Sequence, residues 1–255
     1  MYRRIPAKSP AGLAITAVST ALVCVATIIF SFYVPQTRGF FNVGETMVFT
    51  SAVLFGPYIG AFAGGVGSMI ADILLGYPYY APATLLIKAA EGGIVGFLSR
   101  KKPKFNPKTW KIFTFLIGLI IGVSLAVIGS IYYVGEVEIM FGLPQLFSVD
   151  TVLSISNIFW FAIGALITTI ITVLGIIFEP EIGWLIFIIL AGGSLMVTGY
   201  FIYQQFLLFP LFSIEILAIA EIPINAGQVL IGLIVALPIV KIVTKSFPQL
   251  KRENT

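Results

Sequence analysis

The chain has no histidine, one cysteine and few charges: a tenth of its 255 residues are Asp, Glu, Lys or Arg. A soluble domain carries about a quarter. Without histidine, the commonest general base and metal ligand is missing. The single Cys24 excludes an intrachain disulfide and a cysteine-rich metal site. It lies in an apolar stretch and reads as a small packed side chain. No metal or cofactor is expected. No G-x-x-x-x-G-K-[ST] loop occurs, so any ATP hydrolysis has to come from another chain. There is no DNA- or RNA-binding motif, and the net charge of +4 reflects loops rather than a nucleic-acid surface.

What is present is apolar sequence. Hydrophobic residues make up 58% of the chain, and the mean hydropathy is +1.04. The apolar runs are continuous rather than alternating, which predicts spanning helices and not a β-barrel. The expected segments are 11–33, 44–56, 57–76, 82–99, 109–134, 152–178, 183–209 and 217–244. The first of these is read as a retained helix, because its apolar run is too long for a signal peptide. Between the segments the basic residues form three clusters: Arg3, Arg4 and Lys8; Arg100 to Lys111; and Lys241 to Arg252. Only Arg38 and Lys88 lie elsewhere. Basic loops stay on the cytoplasmic side, so an even number of crossings must separate the clusters. That parity requires a break at Gly56-Pro57, where proline lacks the amide hydrogen and disfavours helix before it. The expectation is an all-α polytopic membrane protein forming one domain, 1–255, with about eight helices and both termini cytoplasmic. Residues 39–98 and 196–240 are dense in Gly, Pro, Tyr and isolated polar groups, whereas 109–178 is plain aliphatic sequence. This contrast divides a functional core, 11–99 and 183–244, from a probable inserted helical pair at 109–178. No internal repeat supports an inverted-repeat transporter.

Isolated polar residues mark candidate chemistry. Asn42 and Glu45 lie where the first outer connector enters a helix; Glu45 is either a dipole-favoured terminal carboxylate or part of a ligand pocket. Gly60, Gly64 and Ser68 share one face and predict close helix packing. Asp72 sits inside an apolar helix, where it binds ligand or holds a neighbour. Tyr77, Tyr79 and Tyr80 form a Pro-bracketed interfacial loop, either an aromatic belt or a stacking surface for a flat ring. Lys88 and Glu91 are three apart on one face and suit a mutual ion pair, yet Lys88 also lies within reach of the outer surface. Glu221, Asn225 and Gln228 form a polar stripe on the last helix, and Tyr200, Tyr203 and Gln204 a similar one on the preceding helix. Buried amides need partners, so interhelical bonding and ligand binding both remain readings. Polar groups converging from separate stretches at one depth are what a small-molecule site looks like.

Four motifs carry a resemblance: Asn42-Val43-Gly44-Glu45, Leu54-Phe55-Gly56-Pro57, Gly64-Gly65-Val66-Gly67-Ser68 through Ala71-Asp72, and Gly76-Tyr77 through Ala81-Pro82, Thr84-Leu85, Ile87-Lys88 and Glu91-Gly92. Together with Glu221, Pro223, Asn225, Gln228 and Gly232 in the last helix, they resemble the S components of energy-coupling factor (ECF) vitamin transporters, closest to the riboflavin-type branch, whose members are also linked to pyridoxine and thiamine precursors. The resemblance implies a six-helix core that binds a vitamin near the outer face. It implies partnership in the plasma membrane with a transmembrane T component and two cytoplasmic ATPases, and no catalysis by this subunit. Ala17 and Ala21 match the family's A-x-x-x-A docking pair on the first helix. The pair at 109–178 is additional to that pattern. Two other readings stand beside this one. One is a stand-alone ion-coupled carrier with Lys88, Glu91 and Asp72 as a proton relay; the other is an intramembrane enzyme, against which the lack of histidine counts.

Overall fold

The turn at Gly56 sets the architecture. Its φ of +96° is open to glycine at little cost, and the next helix starts at once on Pro57, whose ring presets the helical φ. The computed structural model describes residues 9–34, 37, 39–101, 106–143, 147–177 and 180–248. Arg38 and the cluster Arg3, Arg4 and Lys8 lie outside them. The helices are α1 (Pro10–Ile29), α2 (Glu45–Phe55), α3 (Pro57–Leu75), α4 (Ala81–Leu98), α5 (Pro107–Tyr132), α6 (Asn157–Ile177), α7 (Pro180–Ile202), the single turn α8 (Phe209–Phe212) and α9 (Glu221–Ser246). Among the described residues, six helical runs are long and apolar enough to cross a membrane.

Helix α2 is too short to cross alone, at about 1.5 Å per residue over 11 residues. It survives because protein surrounds it: α1, α3, α4 and α9 all pack on it, and only Met47 and Phe55 escape full burial. Arg100 reaches back to its far end, where Nη2 donates to the Leu54 carbonyl at 3.0 Å. A cation there satisfies a terminal carbonyl and opposes the helix dipole.

Helices α3 and α4 form the closest pair. A Cβ on Gly64 would stand 2.9 Å from the Lys88 carbonyl, and one on Gly60 2.8 Å from the Gly92 carbonyl. Of the small-residue face expected at Gly60, Gly64 and Ser68, the two glycines make a backbone contact that fixes Lys88 in depth and rotation, and Ser68 lines the cavity described below. Six helices, α1 to α4, α7 and α9, pack on one another, while α5 and α6 pair mainly with each other and touch α7 and α9 along one side. The Tyr133 hydroxyl, at the end of α5, donates to the Ala220 carbonyl at 2.6 Å, and Trp160 Nε1 of α6 donates to the Tyr133 carbonyl at 2.7 Å. These bonds lash the hairpin to the turn that opens α9.

The connectors at that end are not irregular. They form a four-stranded antiparallel sheet, β1 (Phe32–Val34), β2 (Gly39–Phe41), β3 (Gly135–Leu143) and β4 (Phe147–Ile155), in the order β2-β1-β3-β4. Three expected boundaries shift as a result. Residues 32–33 leave α1 for β1, residues 152–155 belong to β4 rather than to α6, and the connector 135–150 is mostly hairpin. Alternation at Glu136-Val137-Glu138-Ile139 and the β-branched Thr151 and Val152 favour strand, and an apolar count over a long window hides this. Helix α7 also runs further than 209, through a π-turn (Tyr203–Leu208) into α8.

Polarity is inverted relative to a soluble protein. Glu45, Asp72, Lys88, Glu91 and Glu221 are at most 5% exposed, while Leu86 and Ile158 are 71% and 77% exposed. A chain with its charges inside and large aliphatics outside suits lipid as solvent. This is a multi-pass membrane protein.

Candidate functional site

At the sheet end of the bundle, α2, α4 and α9 begin and α1, α3 and α7 finish. Asn42 shapes the entry to α2: its Oδ1 accepts from the Gly44 amide at 2.9 Å, a local bond typical of Asn in turns. Its Nδ2 donates to Gln228 Oε1, and Gln228 Nε2 donates to Asn225 Oδ1 at 2.8 Å. One chain of amides thus ties the loop after β2 to α9.

Lys88 lies between two carboxylates. It pairs with Glu45 at the start of α2 and with Glu91, one turn further along α4, at 3.3 Å. Its Nζ also stands 5.7 Å from the centre of the Tyr200 ring, a cation–π distance. Asp72 hydrogen-bonds to Thr84, whose hydroxyl is 2.9 Å from the Tyr200 hydroxyl. Gln204 Nε2 donates to the Tyr80 hydroxyl at 3.0 Å, and the Tyr203 hydroxyl donates to the Tyr79 carbonyl. Both contacts start from the π-turn, a local widening of the helix that recurs at functional sites. Glu221 faces β2: it bonds Thr37, and a Cβ on Gly39 would stand 2.7 Å from its Oε1. Only glycine lets the strand pass so near. Burial pushes the Tyr77 and Tyr80 phenols upward, so both stay protonated.

Ten of the sequence-selected residues line one cavity: Asn42, Glu45, Asp72, Tyr80, Lys88, Tyr200, Gln204, Glu221, Asn225 and Gln228. Three do not. Tyr77 packs beside Phe40, ring centres 4.9 Å apart. Tyr203 braces the α3–α4 loop. Glu91 is fully buried behind Lys88 and supports it. The wall also contains Thr27, Gly39, Phe40, Gly44, Ser68 and Thr84. Gly44, Ser68 and Thr84 lie inside the motifs, but Thr27 sits in plain apolar sequence with nothing to flag it. Ala17 and Ala21 both lie on the exposed face of α1, beside Val18 and Leu22.

The cavity encloses about 40 Å³, within a void of about 500 Å³ that includes its mouth. The enclosed part suits water, and small-molecule sites run to about 300–1,000 Å³. A ligand of vitamin size therefore needs the wall to move.

A family model described as "ECF-type riboflavin transporter, S component" matches residues 8–179, more than half of the chain. The chain belongs to that family. The matched range includes 109–178. A protein from Pyrococcus woesei, described as an uncharacterized protein in gap 3'region, is 38% identical over 120 residues, 47% of this chain and 74% of the relative. Membership makes this ECF S component a transport subunit for vitamin-type substrates.

Proposed function

We propose that this S component captures a small water-soluble vitamin or precursor in the cavity between β2, α2, α3, α4, α7 and α9, and delivers it across the plasma membrane. The observation that carries this reading is the convergence of polar side chains from separate stretches into one cavity at the sheet end of an otherwise apolar bundle. Tyr80, Tyr200 and Phe40 supply aromatic faces for a flat ring, and the amides and carboxylates supply hydrogen bonds. Both termini are cytoplasmic in this proposal, in keeping with the basic clusters, so the cavity opens outward. Energy comes from a T component and two ATPases, with Ala17 and Ala21 on the exposed face of α1 as the docking pair. The peripheral packing of α5 and α6 supports reading 109–178 as an addition to the six-helix core.

Two measurements test this. Mass spectrometry of small molecules co-purifying with the detergent-solubilised protein is expected to find a vitamin or precursor. Uptake of that compound is expected to need the ATPases. The buried series Glu45, Lys88 and Glu91 favours an ion-coupled carrier as the second reading. Uptake that persists without ATPases and collapses with an uncoupler supports that carrier and overturns the first reading.

A further inference from the structure

Every buried side-chain atom on the cavity wall that lacks a hydrogen-bond partner among the described residues is an acceptor. They are Glu45 Oε2, Asp72 Oδ2, Gln204 Oε1 and Glu221 Oε2. Glu45 is 1% exposed, Asp72 and Gln204 are 4% and Glu221 is 5%. An orphaned buried acceptor loses its hydration without compensation, and the loss is greater for a charged group. Native proteins keep few of them. Their clustering in one cavity, from α2, α3, α7 and α9, points to a ligand that supplies what is missing.

The charge balance agrees. Among the described residues, three carboxyl groups, Glu45, Asp72 and Glu221, face the cavity against one cation, Lys88. Lys88 is already committed to Glu45 and to Glu91 behind it. Hence the lysine offers little to an anion, and among the described residues the wall carries a surplus of carboxyl groups over cations. In a low-dielectric site this surplus repels a phosphate strongly.

We infer that the site selects a neutral or cationic ligand rich in N–H and O–H donors, and that Asp72 and Glu221 act as specificity determinants that reject the phosphate ester of the same compound. This rests on the proposed vitamin-binding role and names the chemistry of that site's ligand. An aromatic nitrogen heterocycle bearing hydroxyl or amino groups fits. A phosphate ester brings further acceptors and at least one negative charge to a wall that already holds three carboxylates. Among the described residues Lys88 is the cation on that wall, and it is already committed to Glu45 and to Glu91 behind it.

The experiment uses matched pairs of probes on the purified full-length protein: riboflavin and riboflavin phosphate, thiamine and thiamine monophosphate, pyridoxine and pyridoxine phosphate. Binding is read by calorimetry. For whichever scaffold binds, the parent is expected to bind at least about a hundredfold tighter than its ester, a difference of about 2.8 kcal/mol. Asp72→Asn and Glu221→Gln keep shape and remove charge, and each is expected to shrink the ratio at least about tenfold, chiefly by improving the ester. A wild-type ester that binds as tightly as its parent overturns the inference while leaving the vitamin site standing. A ratio unchanged in both variants overturns the roles of Asp72 and Glu221. Binding of no probe in any pair, by protein that melts cooperatively, overturns the inference and the vitamin reading together.

Discussion

Lys88 is where structure and binding are hardest to separate. It is nearly inaccessible and pairs with two carboxylates. Removing one partner of a buried ion pair costs about 3–5 kcal/mol, because it strands the opposite charge. Lys88→Ala therefore is expected to lower the melting temperature and the folded yield as well as vitamin binding. The triple variant Lys88→Met, Glu45→Gln, Glu91→Gln removes all three charges. It is expected to recover most of the melting temperature but not the binding; recovery of both makes the lysine a purely structural group. Asn42 behaves differently. Its side chain joins the loop after β2 to Gln228 on α9, in a partly exposed position. Asn42→Ala is expected to cost about 1 kcal/mol of stability. Because the enclosed space is too small for a vitamin, the variant is also expected to load ligand faster and release it faster, as stopped-flow fluorescence reports. Unchanged rates contradict a latch at this position.

Among the elements, α2 and the sheet mark the limits of reading a sequence by composition. The break at Gly56-Pro57 was legible because two local signals, a glycine and a proline, agreed with the parity of the basic clusters. The polar stripe Glu221, Asn225, Gln228 was legible because its spacing repeats one helical face. The pair β3–β4 was not, since apolar windows average over a period of two and the partner strand β1 lies about a hundred residues away in sequence. Glu91 shows a related limit: spacing puts it on the face of Lys88 but does not tell which of the two meets the cavity. The glycine contacts lead to a prediction at this scale. Gly92→Ala pushes a methyl into the backbone of α3 at Gly60, and neither backbone has room to yield. Overpacking of this kind costs about 1–3 kcal/mol. The melting temperature is expected to fall and vitamin affinity with it, because the α3–α4 contact sets the position of Lys88. Gly93→Ala, one residue on, meets only a side-chain methyl at 3.6 Å and is expected to leave both unchanged. Equal behaviour of the two variants refutes the close contact.

At the scale of the whole molecule, orientation and docking decide whether the cavity serves uptake. The helix order places Lys108, Lys111, Lys241 and Lys245 at the end opposite the sheet, and the distribution of basic residues then predicts that the sheet faces outward. The lone cysteine makes this testable without a complicated background. Cys24 lies partly buried within α1, so Cys24→Ser gives a cysteine-free chain at small structural cost. On that chain, Glu136→Cys in β3 is expected to react with a membrane-impermeant maleimide in intact cells, and Lys108→Cys only after permeabilisation. The reverse pattern turns the cavity inward and removes the capture role. Docking follows from the same geometry. Ala17 and Ala21 expose a small-residue strip on α1, a helix whose other side packs on α2 and α3. Small residues let a second helix approach closely, and the strip lies away from the cavity. Ala17→Trp is therefore expected to leave the vitamin affinity of the purified protein unchanged and to abolish ATP-dependent uptake. Loss of binding as well would place the defect in folding, and undiminished uptake would mean that the T component meets another face.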